Sequence, residues 1–175
     1  MRKDREEEKI LRRSSLQTPA GVVVLIERGR SLVGLVFEDH WARFRGDLER
    51  RLGSFSFEED PLGGAPAAAL RRYFAGDLDA LDAIEIDTGG TPFQQSVWRA
   101  LRRIPPGTTW SYARLAKEIG RPSSVRAVAG ANGANPVSIV IPCHRVIGSD
   151  GSLTGYGGGL ARKSWLLAHE RALLA

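Results

Sequence analysis

The glycine pair Gly89-Gly90 divides the chain into two stretches with different hydrophobic periods, and that difference limits the layers each can build. Before the pair, "GVVVLIERGRSLVGLVFED" carries two β-rich runs joined by a turn around Gly29, the pattern of a hairpin. "DHWARFRGDLERRLG" has mixed periodicity compatible with a helix. "GGAPAAALRRYFAGD" is a better helix, with Pro66 near its start, Ala and Leu inside and Gly76 at its end. "LDAIEIDTGG" then reads as a last strand closing a small α/β unit near residue 88. Residues 1–16 are almost wholly charged or polar with mixed signs, which suggests a frayed helix or disordered arm with no chemistry of its own.

After the pair the period becomes helical. In "TPFQQSVWRALRRI", Thr91 and Gln94 form a capping box and Pro92 takes the first helical position. Phe93, Val97, Trp98, Leu101 and Ile104 line one face, and Arg99, Arg102 and Arg103 fall largely outside it. "SYARLAKEIG" starts a second helix capped by Ser111 and stopped by Gly120. "RPSSVRAVAGANGAN" starts a third, with Ser123 or Ser124 as its cap. The last two helices, joined by "GRPS", make a helix-turn-helix candidate. The third is thin, because Ala127, Ala129, Gly130 and Ala131 let its backbone approach another surface closely, either a neighbouring helix or DNA, with Arg126 as the one long projecting side chain. The expected class is α/β (α+β), with an arm over residues 1–16, an N-terminal β-sheet domain over 17–88 and a mainly helical domain over 89–175.

Charge follows the same division. Residues 1–88 hold 14 basic and 17 acidic side chains, a net of −3, whereas residues 89–175 hold 11 and 3, a net of +8. A basic half of this kind suits a polyanion such as nucleic acid, although a merely solvated basic surface explains the charge equally well. No apolar run approaches the roughly 20 residues that cross a bilayer, and the start lacks a secretory core, so a cytoplasmic protein with no membrane contact is expected. One cysteine excludes an internal disulfide and a multi-thiolate zinc site. His40, His144 and His169 have no recognisable zinc spacing, and no metal or other cofactor is expected.

That cysteine, Cys143, sits in "IPCHRVIG". "NPVSIVIP" before it reads as a short extended segment delivering Cys143 to its end. A lone cysteine is most often a small buried hydrophobe. A reactive one needs a base or cation nearby, because a thiol with a pKa of about 8.5 is only slightly ionised at neutral pH. His144 and Arg145 supply both types. In a strand, neighbouring side chains point to opposite faces, so His144 can serve Cys143 only if the chain turns there or water bridges them. Glu170 shares a helical face with Leu166, Leu167, Leu173 and Leu174. It is either a carboxylate at the stripe's edge paired with a surface arginine or the orienting member of a Cys-His-Glu arrangement.

Five motifs resemble those of the O6-alkylguanine-DNA alkyltransferases: "PCHRV" at 142–146, "GANPV" at 133–137, "SYARLA" at 111–116, "RAVAGA" at 126–131 and "GYGGGLARKSWLLAHE" at 155–170. Their order and spacing match across roughly residues 89–172. The resemblance implies a ribonuclease-H-like N-terminal domain and a winged-helix-like second domain. It makes Cys143 the acceptor of the alkyl group, His144 its base through a bound water, Glu170 the holder of the imidazole and Asn135 a brace for the segment. Tyr112, Val146, Tyr156 and Gly157 would receive the base, and Arg126 would fill the gap it leaves. Ala113, Arg121, Ser123, Ser124, Ala127 and Ser149 would face DNA, with the thin helix in the minor groove. The implied partner is double-stranded DNA carrying alkylated guanine, with alkylated thymine a candidate second substrate, bound by a protein monomeric in solution that can act cooperatively on DNA.

Gly157 departs from relatives that carry a larger polar residue there, which implies a roomier pocket. The first half matches the family only in pattern and lacks the Cys and His residues that bind zinc in some relatives. Three readings remain in competition: a single-turnover repair transferase, a DNA lesion recogniser or regulator whose thiol is a sensor or inert, and a cysteine hydrolase.

Overall fold

The structure, a computed structural model, describes residues 9–171. Residues 9–16, expected within a charged arm, instead belong to the first strand, β1 (Lys9–Thr18). Burial on both faces of the sheet explains the difference. Leu11 is buried on one face, and Ser14, Leu16 and Thr18, at alternate positions, are buried on the other. The neighbouring charges are paired across the sheet: Arg12 with Glu27 at 2.9 Å, and Arg13 with Glu59 at 3.2 Å while stacking over Trp41. The rest of the expected arm, and Leu173 and Leu174, lie outside the described residues.

β2 (Gly21–Arg28) and β3 (Ser31–Phe37) form the expected antiparallel hairpin through Gly29. Helix α1 (Trp41–Leu52) follows, then a strand the sequence reading did not anticipate, β4 (Phe55–Glu59), and helix α2 (Ala65–Phe74). The sheet order is β3-β2-β1-β4, with β4 parallel to β1. Phe44 and Leu48 of α1 pack on Leu11, Val24, Ile26, Val33 and Val36. Val23, Leu25, Leu32, Leu35 and Phe37 point to the other face, against Ala67, Leu70 and Tyr73 of α2 and against the second half. Both faces are covered, which is why β2 reads as an unbroken apolar run rather than an alternation.

The closing strand expected at "LDAIEIDTGG" is not formed. Residues 77–84 make successive turns, closed by Ala80 N to Asp77 O, Asp82 N to Asp79 O and Ile84 N to Leu81 O. Ala80, Leu81 and Ile84 are buried by this winding, and only Ile86 bridges to Leu32. At Gly89 and Gly90, φ is 59° and 82°, a reversal that side chains with a Cβ resist.

The second half opens with α3 (Pro92–Leu101). Both capping-box bonds are made, Gln94 N to Thr91 Oγ1 at 3.1 Å and Thr91 N to Gln94 Oε1 at 3.0 Å. Val97, Trp98, Leu101 and Ile104 join the same core as Leu25 and Leu35, so one hydrophobic cluster runs across the glycine pair. β5 (Trp110–Ser111) leads into α4 (Tyr112–Glu118), where Ser111 Oγ accepts from Arg114 N. α5 (Val125–Gly133) starts after Ser124, whose side chain makes no capping bond. β6 (Val146–Ile147) pairs in parallel with β5, and α6 (Leu160–His169) is the last helix among the described residues. A sheet followed by helices is the expected α/β (α+β) order. Among the described residues, no helix is long and apolar enough to cross a membrane.

Candidate active site

The segment before Cys143 is not extended, contrary to expectation. Val137 alone bridges to Leu35 of β3, with Leu35 N donating to Pro136 O and Ser138 N to Leu35 O. Residues 138–141 then turn, and Ile139 adopts φ 70°, a conformation that costs a β-branched residue on the order of 1–3 kcal/mol. The pairing to β3 and the bond from Ile141 N to Val137 O hold it there. Asn135 braces the same turn: its Oδ1 accepts from Val137 N at 2.9 Å, and its Nδ2 donates to Ile141 O at 2.8 Å and to Cys143 Sγ at 3.1 Å.

Cys143, His144 and Arg145 form one turn of 3₁₀ helix. The requirement that the chain turn at His144 is therefore met, and all three side chains are buried. Burial pushes the Cys143 thiol up, against the Asn135 hydrogen bond and the nearby Lys163 charge, so the resting sulfur is protonated. His144 is 0% exposed, and burial pushes its imidazole down despite the carboxylate of Glu170. It is therefore neutral.

Glu170, just past the end of α6, is 2% exposed and accepts every hydrogen bond its site offers. His144 Nε2 lies 2.8 Å from Oε1, Arg145 Nε 2.9 Å from Oε2, Arg145 Nη2 2.9 Å from Oε1, and the Tyr73 hydroxyl 2.6 Å from Oε1. Burial alone would raise this carboxyl, but His144 and the Arg145 guanidinium outweigh it and hold it well below the usual carboxylate range. An ionised Glu170 accepts only, so Nε2 of His144 carries the proton and Nδ1 carries the lone pair. That Nδ1 is buried with no partner among the described residues. A base with its donor nitrogen anchored and its acceptor nitrogen unoccupied, adjacent in chain to a protonated thiol, can take a proton from sulfur through one water.

Lys163, also 0% exposed, donates to Val146 O and Thr154 O, and burial lowers it to about 8. It ties the buried Val146 to the glycine loop before α6. Tyr112 OH donates to Thr154 O at 3.1 Å, joining the start of α4 to that loop. Tyr156 OH is buried without a partner among the described residues. Burial pushes both hydroxyls up, and proximity to Cys143 adds to it. Gly157 is exposed. A Cβ on Gly158 would stand 2.7 Å from Tyr156 and 2.9 Å from Phe37, so only glycine lets the loop lie between them. Arg162 ties the loop to the first half, bonding Asp39 and Gly158 O while stacking on Phe37.

Of the expected site residues, the fold joins Asn135 to Cys143 and His144 to Glu170 by hydrogen bonds, two pairs brought together by the chain at residues 143 and 144, with Tyr112 and Tyr156 near Cys143 and Val146 directly after the same turn. The remainder lie on the outer surface. Arg126 and Ala127 are exposed on α5, Ala113 on the first turn of α4, Arg121 and Ser123 in the connection between them, and Ser149 after β6, with Ser124 half-buried. Sequence reasoning missed Tyr73, Lys163 and the bidentate role of Arg145. Lys163 had a signal, since it lies seven residues before Glu170 and three before Leu166, on one helical face.

Residues 92–172 match the DNA-binding domain of 6-O-methylguanine DNA methyltransferase. The chain is 59% identical over 140 residues to the methylated-DNA–protein-cysteine methyltransferase of Salmonella typhimurium, covering 77% of this chain and 82% of that one. Identity to the Mycolicibacterium paratuberculosis protein of the same name is 47% over 158 residues, 90% of each chain. In three dimensions it is similar to the Mycobacterium tuberculosis O6-methylguanine methyltransferase crystal structure, with a TM-score of 0.77 at 41% identity over 92% of this chain and 93% of that one. Mycobacterium tuberculosis OGT in complex with DNA matches with the same TM-score at 40% identity, over 91% and 92% of the two chains.

Proposed function

The chain belongs to the methylated-DNA–protein-cysteine methyltransferases, and we propose that it repairs DNA by moving an alkyl group from O6 of guanine to its own Cys143, once per molecule. The observation that carries this reading is the buried Cys143 thiol, held by Asn135 and followed by a neutral His144 whose Nε2 is fixed on Glu170. His144 Nδ1 takes the thiol proton through water, Glu170 stabilises the resulting imidazolium, and Sγ attacks the alkyl carbon in line. The sulfur–carbon bond forms as the carbon–oxygen bond breaks, and the electron pair leaves with the guanine, which takes up a proton. The thioether cannot be hydrolysed by any second nucleophile of the site, so the protein is consumed.

An O6-alkyl carbon cannot be attacked in line inside a stacked duplex, so the base must leave it. Tyr112, Val146, Tyr156 and Gly157 receive the extruded base, and Arg126 fills the space left behind. The exposed faces of α4 and α5, with Ala113, Ala127, Arg121, Ser123, Ser124 and Ser149, lie along the minor groove, where small side chains permit close approach. The protein works as a cytoplasmic monomer on double-stranded DNA.

Incubation with a duplex containing O6-methylguanine, followed by mass measurement of the tryptic peptide bearing Cys143, tests the reading. One methyl group on Cys143, in a yield capped by protein, is expected. Repeated turnover would indicate a hydrolase, and an unmodified cysteine a lesion recogniser. Arg126→Ala is expected to slow repair of duplex by about 10- to 100-fold, the equivalent of an extrusion cost of a few kcal/mol, with little effect on reaction with free alkylguanine. Equal losses on both substrates would remove Arg126 from base extrusion.

A further inference from the structure

Glu170 is reached from the first half of the chain as well as the second. Tyr73, on α2, is 0% exposed and places its hydroxyl 2.6 Å from the Oε1 that His144 Nε2 also uses at 2.8 Å. The two residues lie 97 positions apart in sequence. The contact is fixed at a second point, because His169 Nε2 lies 2.9 Å from the backbone oxygen of Tyr73 and the two rings meet edge to face. Burial and the Glu170 charge push the Tyr73 hydroxyl far up, so it remains a donor across the whole working range.

Resting on the transferase reading, we propose that Tyr73 is a positioning residue for the alkyl-transfer step, its hydroxyl drawing charge from the shared oxygen of Glu170 and so setting how firmly that carboxylate holds the His144 proton. Three donors converge on Oε1, those of Tyr73, His144 and Arg145. A carboxylate relieved of one donor becomes a stronger acceptor for those remaining, and the imidazolium gains most because its proton is mobile. Arg145 cannot compensate, since its guanidinium already spans both oxygens and also donates to Ile104 O. The other ionisable groups around the pair are Lys163 and His169 of α6, Cys143 of the 3₁₀ turn and Tyr156 of the glycine loop. None of these bonds directly to Glu170 among the described residues. Tyr73 is thus the neutral donor through which α2 acts on the base.

The test is the pH profile of alkyl transfer to Cys143 in the full chain, using free O6-benzylguanine as probe. Tyr73→Phe should move the acid limb of the rate upward by about half a unit or more, roughly threefold in rate at a fixed pH on that limb. A site-specific 3-fluorotyrosine at position 73, a stronger donor of nearly the same shape, should move it downward. Opposite shifts are not expected of a residue that only packs. Coincident limbs for the wild-type and both substituted proteins would overturn the inference, and the fluorinated protein alone decides it if Tyr73→Phe does not fold. A wild-type protein that gains no alkyl group would instead defeat the transferase reading, so the two failures are separable. Direct titration of the His144 imidazole by nuclear magnetic resonance should show the same two shifts without any substrate.

Discussion

Glu170→Ala is expected to destabilise the protein by about 3–5 kcal/mol, the usual consequence of removing one partner from a buried ion pair. Among the described residues, Arg145, 6% exposed, would keep only the oxygen of Ile104 as acceptor, while the hydroxyl of Tyr73 and Nε2 of His144 would keep none. Set against a typical total of about 5–15 kcal/mol, this leaves a fold near its threshold. Denaturant unfolding at neutral pH measures it. The loss should depend on pH with a definite sign. Glu170 is held well below its unfolded value of about 4.3, so it stabilises the fold above that pH and ceases to do so as pH falls through the depressed native value. His144 is also depressed, and its unfolded imidazole takes up a proton near pH 6.5 that the buried ring resists, so stability declines as pH drops below about 6.5. Both effects weaken the wild type toward acid. In Glu170→Ala the carboxylate contribution is absent at every pH. Where the variant folds, transfer should also slow by about 10²–10⁴, because an unanchored imidazole can present the wrong nitrogen to the thiol.

The elements that sequence made legible are those whose signals are local. Thr91, Pro92 and Gln94 lie within four residues and make their bonds within one turn, and the Gly29 hairpin needs only its two flanking runs. The errors share a different cause. Residues 9–16 looked disordered because their charges find partners at Glu27 and Glu59, which only strand pairing brings near. β4 was missed because five residues with two phenylalanines acquire a strand's identity from β1 alone. Ile139 turns where its β-branched neighbours suggested a strand, because β3 pins Pro136 and Ser138 on either side of Val137. In the site, Cys143, His144 and Arg145 were adjacent, and Glu170 stood out as a carboxylate on an apolar face. Tyr73 carried no such mark. It reads as an ordinary aromatic of an amphipathic helix, and only the docking of α2 against α6 gives its hydroxyl an acceptor.

Cys143→Ser should abolish alkyl transfer while leaving binding to lesion-bearing duplex within about 0.5 kcal/mol of wild type, the ordinary range for a change that disturbs no partner. Cys143 is 6% exposed, and the exposed residues assigned to DNA, among them Arg126, Ala127 and Arg121, lie on other elements. A hydroxyl can keep the hydrogen bond from Asn135 Nδ2, so the turn that presents position 143 is not disturbed. Nucleophilicity is what changes. A serine hydroxyl is a far weaker acid than a thiol, and burial, which already raises the thiol, would raise the hydroxyl too, beyond what a neutral and depressed imidazole can deprotonate. The variant should therefore hold alkylated DNA without consuming it. Gel-shift titration and mass measurement on one preparation separate the two properties. Loss of both would place Cys143 in DNA recognition, and residual transfer would require an acceptor other than a thiol in a chain whose single cysteine has been removed.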